Sequence, residues 1–184
     1  MAVWNDDAVA CHLYVARLYT QRYPKDMYGW IVLADVLSAV ASYDEAMLAL
    51  HTARKLSPKD KLDFIYSQIG HFYREKGDYR RAESWYRRAM KAKETDRNIV
   101  FLGACLARQG KYGEAKRYHR RAIKIGSEVV DEAYFNLGLI LRAEGKYEEA
   151  LECFERAIEI DPKYTLAKKA RKDIVALRKL KGGI

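Results

Sequence analysis

The sequence predicts an all-α chain of tandem helix-turn-helix hairpins, and three observations carry that prediction. Residues 131–164 hold two amphipathic stretches joined at Gly145. Tyr134, Leu137, Gly138 and Leu141 line one face of the first, and Ala150, Phe154, Ala157 and Ile158 line one face of the second, at helical spacing. The same pattern recurs upstream, with starts at 27, 63, 96 and 131. Only three prolines and eleven glycines occur in 184 residues, which suits helices with short connections. A lone hairpin of this kind has one apolar face too many and needs neighbours of its own kind to cover it.

Composition narrows the class. A hydrophobic content of 49% with 32% charged residues describes a folded, soluble chain. The formal charge of +9 favours acidic partners, whether a protein segment, nucleic acid or an anionic membrane surface. It also serves simply to keep a charged helical face in water. Cys11, Cys105 and Cys153 are odd in number, far apart and in no CxxC arrangement, which speaks against a disulfide framework or a zinc site. Each stands in a helical pattern, where a free cysteine acts as a small apolar residue. The start MAVWNDDAVA lacks the basic and apolar regions of a signal peptide. No apolar run approaches the roughly 20 residues that span a bilayer. A reducing, cytoplasmic setting is the expectation.

Residues 5–22 read as one helix, with Asn5 or Asp6 as N-cap, an apolar stripe of Val9, Leu13 and Ala16, and Tyr19 at its edge. Pro24 interrupts it. No partner precedes this helix, so residues 5–26 read as a half hairpin, where Trp4 either closes the end or lies on an exposed edge. In the copy at 27–62, Trp30, Leu33, Ala34 and Leu37 face Tyr43, Ala46, Leu50 and Ala53. The copy at 63–95 has Tyr66, Ile69, Gly70 and Tyr73, a turn at Gly77, then Tyr79, Ala82, Tyr86 and Ala89. The copy at 96–130 has Ile99, Leu102, Gly103 and Leu106, a turn at Gly110, then Tyr112, Ala115, His119 and Ala122. After the fourth copy, residues 165–184 read as a capping helix with a narrow stripe of Ala167, Ala170, Ile174 and Leu177. Lys179, Lys181 and the Gly182–Gly183 tail are expected to fray. The glycines at the turns supply the left-handed backbone that ends a helix, and Asp161–Pro162 reads as a cap and a first-turn proline.

These units resemble the tetratricopeptide repeat (TPR) family over residues 27–164, about three quarters of the chain. Its signature stands in the fourth copy as Tyr134, Leu137–Gly138, Leu141, Ala150, Phe154, Ala157 and Pro162, with Leu141 in place of an aromatic residue. Other departures are Ala34 and Ala41 for glycine, His119 for an aromatic residue, and Glu94 and Ser127 for proline. The resemblance implies a right-handed α-solenoid forming a single domain over the whole chain, with Gly138 and Ala150 letting two helix backbones approach closely.

No HExxH, Gly-rich phosphate loop or GxSxG motif occurs, so the sequence offers no enzyme, no catalytic residue, no metal site and no cofactor. His12, His51, His71 and His119 are isolated in sequence, and His119 reads as a packed core ring. Function is then expected in surfaces. In TPR proteins the first helix of each repeat lines a concave groove. Carried over, its ligand-facing positions are Tyr28, Ile31 and Asp35 in the first copy, and Phe64, Ser67, His71 and Arg74 in the second. The third contributes Arg97, Val100, Phe101, Ala104 and Arg108, and the fourth Phe135, Asn136, Leu139 and Arg142. Arginines among apolar side chains suit a peptide bearing acidic and apolar residues. The carboxylate clamp that holds the EEVD tail of heat-shock chaperones is not reproduced. Its positions fall on Ile31, Asp35, Gln68, Arg97 and Phe101, or one copy later on Ser67, His71, Phe101, Glu132 and Asn136.

Two alternatives accompany the groove. Between Arg74 and Lys124 there are sixteen Lys or Arg against six Asp or Glu, and Arg87, Arg88 and Lys91 match Arg120, Arg121 and Lys124 in register. This basic convex surface would suit RNA or an anionic membrane through phosphate contacts. The other alternative is self-association through the unpartnered N-terminal helix.

Overall fold

A computed structural model describes residues 6–126 and 128–181. Trp4, Asn5, Ser127, Gly182 and Gly183 lie outside the described residues, as do the side chains of Asp6, Lys179 and Lys181. The described residues form ten α-helices in consecutive antiparallel pairs. They are α1 (Asp6–Arg22), α2 (Met27–Ala39), α3 (Tyr43–Leu56), α4 (Leu62–Glu75), α5 (Tyr79–Ala92), α6 (Asp96–Arg108), α7 (Tyr112–Ile125), α8 (Val130–Ala143), α9 (Tyr147–Ile160) and α10 (Thr165–Lys181). Two compact units divide the chain, residues 1–93 and 94–184.

Each hairpin closes by the same chemistry. After α4, α6 and α8 the chain enters the left-handed region at Gly77, Gly110 and Gly145, with φ of 76°, 74° and 77°. The amides that follow bond back to the preceding helix, as when Asp78 N–H donates to the Tyr73 carbonyl at 2.9 Å and Lys146 N–H to that of Leu141 at 2.9 Å. After α2 the same turn is made by Ala41, the one non-glycine residue with positive φ (58°) among the described residues. The Ser42 N–H donates to the Leu37 carbonyl at 2.9 Å, so the bond pattern survives while Cβ meets the steric penalty of the left-handed region. Ala41→Gly is therefore expected to stabilise the chain by about 1 kcal/mol, read as a raised midpoint in urea.

Within three hairpins, a glycine of the first helix receives a ring from the second, sixteen residues later. A Cβ on Gly70 would stand 2.7 Å from the Tyr86 ring, one on Gly103 2.8 Å from His119, and one on Gly138 2.6 Å from Phe154. These glycines thus accommodate a side chain, where the sequence suggested a backbone-to-backbone approach. The first hairpin fills the same space with Ala34 and Leu50, both buried. α1 packs on α2 by the ring of Tyr19, which lies over Gly29, while Tyr14, Val15 and Leu18 stay exposed.

The core of unit 1 joins Ala16, Leu33, Leu37, Leu50, Ile65, Ile69 and Phe72, among others. That of unit 2 includes a cluster of Leu137, Leu141, Phe154, Ala170 and Ile174. Two expectations are corrected. Leu177 is exposed, so among the described side chains the buried stripe of α10 reaches only Ile174. Pro162 lies in a turn before α10, not in its first turn; Lys163 N–H donates to the Asp161 carboxylate at 2.8 Å and Tyr164 N–H to the Asp161 carbonyl at 3.0 Å.

Candidate functional site

In unit 1 the first helices are α2 and α4. Tyr28 is exposed, Phe64 is half-buried, and their rings lie 5.9 Å apart. Ile31 and Ser67 are buried, and the Ser67 hydroxyl donates to the Asp63 carbonyl one turn back at 3.0 Å. Both therefore serve the fold, and exposed Val32, one position from Ile31, takes its place on the surface. His71 is half-buried and its Nδ1 stands 3.1 Å from the Tyr86 hydroxyl. That contact gives the buried phenol its partner, so His71 supports the core as well as edging the face. Arg74 is half-buried. Asp35 is exposed as a residue, yet partial burial of its carboxyl, and then the charge of Glu75, raise its pKa to about 6. Glu75, exposed and absent from the sequence-based set, thus belongs to the same surface; its place in the last turn of α4, one residue beyond Arg74, was the available signal.

In unit 2 the first helices are α6 and α8. Arg97 and Arg108 are exposed, and Arg142, Phe101, Ala104, Phe135, Asn136 and Leu139 are half-buried. Val100 is fully buried and belongs to the core. Phe135 lies 5.0 Å from the Tyr164 ring and 5.8 Å from that of Phe154, centroid to centroid, and packs against the core cluster of unit 2.

The basic residues of the second helices are partly engaged. Arg87 bonds Glu83 at 2.8 Å, Arg121 pairs with Glu94, and the Arg88 guanidinium lies 4.3 Å over the Trp85 ring. Arg120, Lys124 and Lys91 are exposed. Nearby, Lys116 holds Glu144 through both carboxylate oxygens at 2.5 and 2.7 Å, and this hydrogen bonding lowers the Glu144 pKa.

Among the described residues no group of three or more His, Cys, Asp or Glu side chains could hold a metal ion. An open recess of about 430 Å³ in unit 2 is lined by Tyr134, Glu152, Cys153, Glu155, Arg156 and Glu159. Burial, then the charges of Glu152 and Glu149, push the Cys153 thiol up to about 11, the wrong direction for a nucleophile. His119 is buried with neither ring nitrogen hydrogen-bonded, and burial lowers its pKa to about 4. No described helix is long and apolar enough to cross a membrane.

Comparison with known proteins agrees with this anatomy. Models of the tetratricopeptide repeat match residues 65–100, 101–133 and 131–164. Among curated proteins none matches the sequence. Solved structures do. PilW, a widely conserved type IV pilus biogenesis factor, aligns at 16% identity and TM-score 0.73 over 95% of this chain and 86% of its own. YrrB, a TPR protein with an unusual peptide-binding site, aligns at 25% identity and TM-score 0.60 over 89% and 84%. The first TPR of Spaghetti (RPAP3), bound to the HSP90 peptide SRMEEVD, aligns at 22% identity and TM-score 0.58 over 64% and 94%. Tetratricopeptide repeats bind proteins and peptides, and the family is typically non-catalytic. With glycine turns, ring-on-glycine hairpins and three matched repeats in tandem, the chain belongs to the tetratricopeptide repeat family.

Proposed function

We propose that this chain is a non-catalytic scaffold whose first-helix surfaces bind a peptide segment of a partner protein, with acidic and apolar residues meeting unit 2. The observation that carries the reading is the surface of α6 and α8, where Arg97, Arg108 and Arg142 stand beside Phe101, Phe135 and Leu139. A guanidinium can hold a carboxylate by two parallel bonds, and aromatic edges cover apolar anchors. The peptide-binding site of YrrB, the relative at 25% identity, supports the same class of ligand. The missing carboxylate clamp argues against a chaperone C-terminal tail, since Asp35 would face the ligand's carboxylate with a like charge. Three free cysteines suit a reducing compartment such as the cytoplasm.

The second-helix surface is the weaker reading, because Glu83 and Glu94 already offset Arg87 and Arg121. Affinity capture of partners, read by mass spectrometry, separates the two. Reversal of Arg97, Arg108 and Arg142 to glutamate is expected to weaken partner capture about thirtyfold or more, by about 2 kcal/mol or more for a desolvated pair. Reversal of Arg87, Arg88, Arg120 and Arg121 is expected to leave it within about twofold, as rim charges contribute little. Loss confined to the second set would overturn the proposal in favour of phosphate or membrane binding.

A further inference from the structure

Tyr28, Val32 and Asp35 fall at i, i+4 and i+7 along α2, one stripe of the helix. Tyr28 and Val32 are 50% and 54% exposed, unusual for large apolar side chains on a helix that is otherwise largely buried. Phe64, Gln68, His71 and Glu75 form the matching stripe on α4. Because α3 turns the chain back between them, α2 and α4 run the same way. At one end the Tyr28 and Phe64 rings meet at 5.9 Å. Seven residues on, Asp35 senses the charge of Glu75. The surface is therefore apolar at one end and anionic at the other.

The carboxyl of Asp35 is partly withdrawn from water, and the charge of Glu75 disfavours its ionised form further. Neighbouring polar groups are turned to other tasks. His71 meets the Tyr86 hydroxyl, and Lys76 holds its ammonium 4.7 Å over the Tyr43 ring. Arg74, the residue before Glu75, is half-buried and already engaged in an interaction of its own. Such a carboxylate gains most from a cation brought by a ligand. Seven helical residues at about 1.5 Å each separate the aromatic end from Asp35 by roughly 10 Å. An extended chain covers that distance in about three residues.

We propose that the α2–α4 surface of unit 1 binds an extended peptide segment in which an apolar or aromatic side chain stands three residues from a lysine or arginine. The apolar side chain lies against Tyr28, Val32 and Phe64, and the cation meets Asp35 and Glu75. This rests on the scaffold reading and gives unit 1 the opposite charge preference to unit 2, whose first-helix surface carries Arg97, Arg108 and Arg142.

Fluorescence anisotropy on the full chain tests it with two labelled peptides, Gly-Phe-Ser-Gly-Lys-Gly and Gly-Phe-Ser-Gly-Glu-Gly. The lysine probe is expected to bind tenfold or more tighter than the glutamate probe to a D35N/E75Q-sensitive site. D35N/E75Q, checked for unchanged helicity by circular dichroism, is expected to lose that advantage, and D35E to keep most of it. A third probe with lysine directly after phenylalanine is expected to bind more weakly than the first. Full lysine-probe affinity in D35N/E75Q, or a loss in D35N/E75Q that is equal for the two charge types, would overturn the proposal. If only the glutamate probe binds, this proposal fails and the scaffold reading stands. If neither binds, this proposal fails, and partner capture alone decides the scaffold reading.

Discussion

Replacing His119 by phenylalanine is expected to raise the stability of the chain by about 1–3 kcal/mol at pH 7, the usual cost of a buried polar group left without partners. His119 is fully buried and both ring nitrogens lack a hydrogen bond. Phe154 holds the equivalent place against Gly138 in the next hairpin and carries no polar atom. Tyr86, the equivalent in the hairpin before, has its hydroxyl met by His71 at 3.1 Å. The position corresponding to His71 in the His119 hairpin is Ala104, which offers no such group.

The same ring makes stability depend on pH. Burial lowers its pKa in the folded chain from 6.5 to about 4. Its neutral form is therefore favoured by folding, and the contribution is complete above pH 6.5. As pH falls below 6.5 the unfolded chain takes up a proton that the folded chain refuses until about pH 4. Between those limits the chain loses about 3 kcal/mol through this one residue, at 1.36 kcal/mol per pH unit. H119F lacks that loss. Urea unfolding of both proteins at pH 7, 5.5 and 4.5 should show their stability difference widening by about 2.5 kcal/mol. A constant difference would mean that His119 finds a proton acceptor or water in solution.

Gly138→Ala should have the largest destabilising effect of the substitutions considered, about 2–3 kcal/mol, the range for overpacking a close contact. The added methyl would stand 2.6 Å from the Phe154 ring, whose whole side chain is buried and has little room to retreat. The first hairpin indicates the cure. There Ala34 and Leu50 occupy the two positions, at the same separation of sixteen residues. The double variant G138A/F154L is accordingly expected to recover at least half of what G138A loses, with a favourable coupling of about 1–2 kcal/mol in a double-mutant cycle. Additive losses would show that the ring and the glycine are independent.

Much of this was legible beforehand because period, turn and signature agree. Gly77, Gly110 and Gly145 close hairpins as their sequence context implies, and Ala82, Ala115 and Ala150 are buried as the helical spacing requires. The candidate surface was legible by position and not by depth. Ile31, Ser67 and Val100 occupy ligand-facing positions in the repeat, yet each is buried, since side-chain depth depends on how closely the next helix packs. Glu75 was overlooked because a charged residue in the last turn of a helix looks like ordinary solvated surface. Its significance comes from Asp35, forty residues earlier, which sequence spacing cannot bring beside it. Leu177 shows the reverse failure: its spacing fits the stripe of α10, but the folded chain leaves it exposed.

The sixteen-residue pairing also bears on how such a chain could change over time. Each hairpin is a matched set, glycine with a ring or alanine with leucine, and a lone substitution from one set to the other passes through a collision or a void. Two linked changes are needed before either is tolerated. A duplicated or exchanged segment that carries both helices brings its own match with it, whereas a single transplanted helix does not. The smallest portion of this chain that can be shuffled without repair is thus the hairpin.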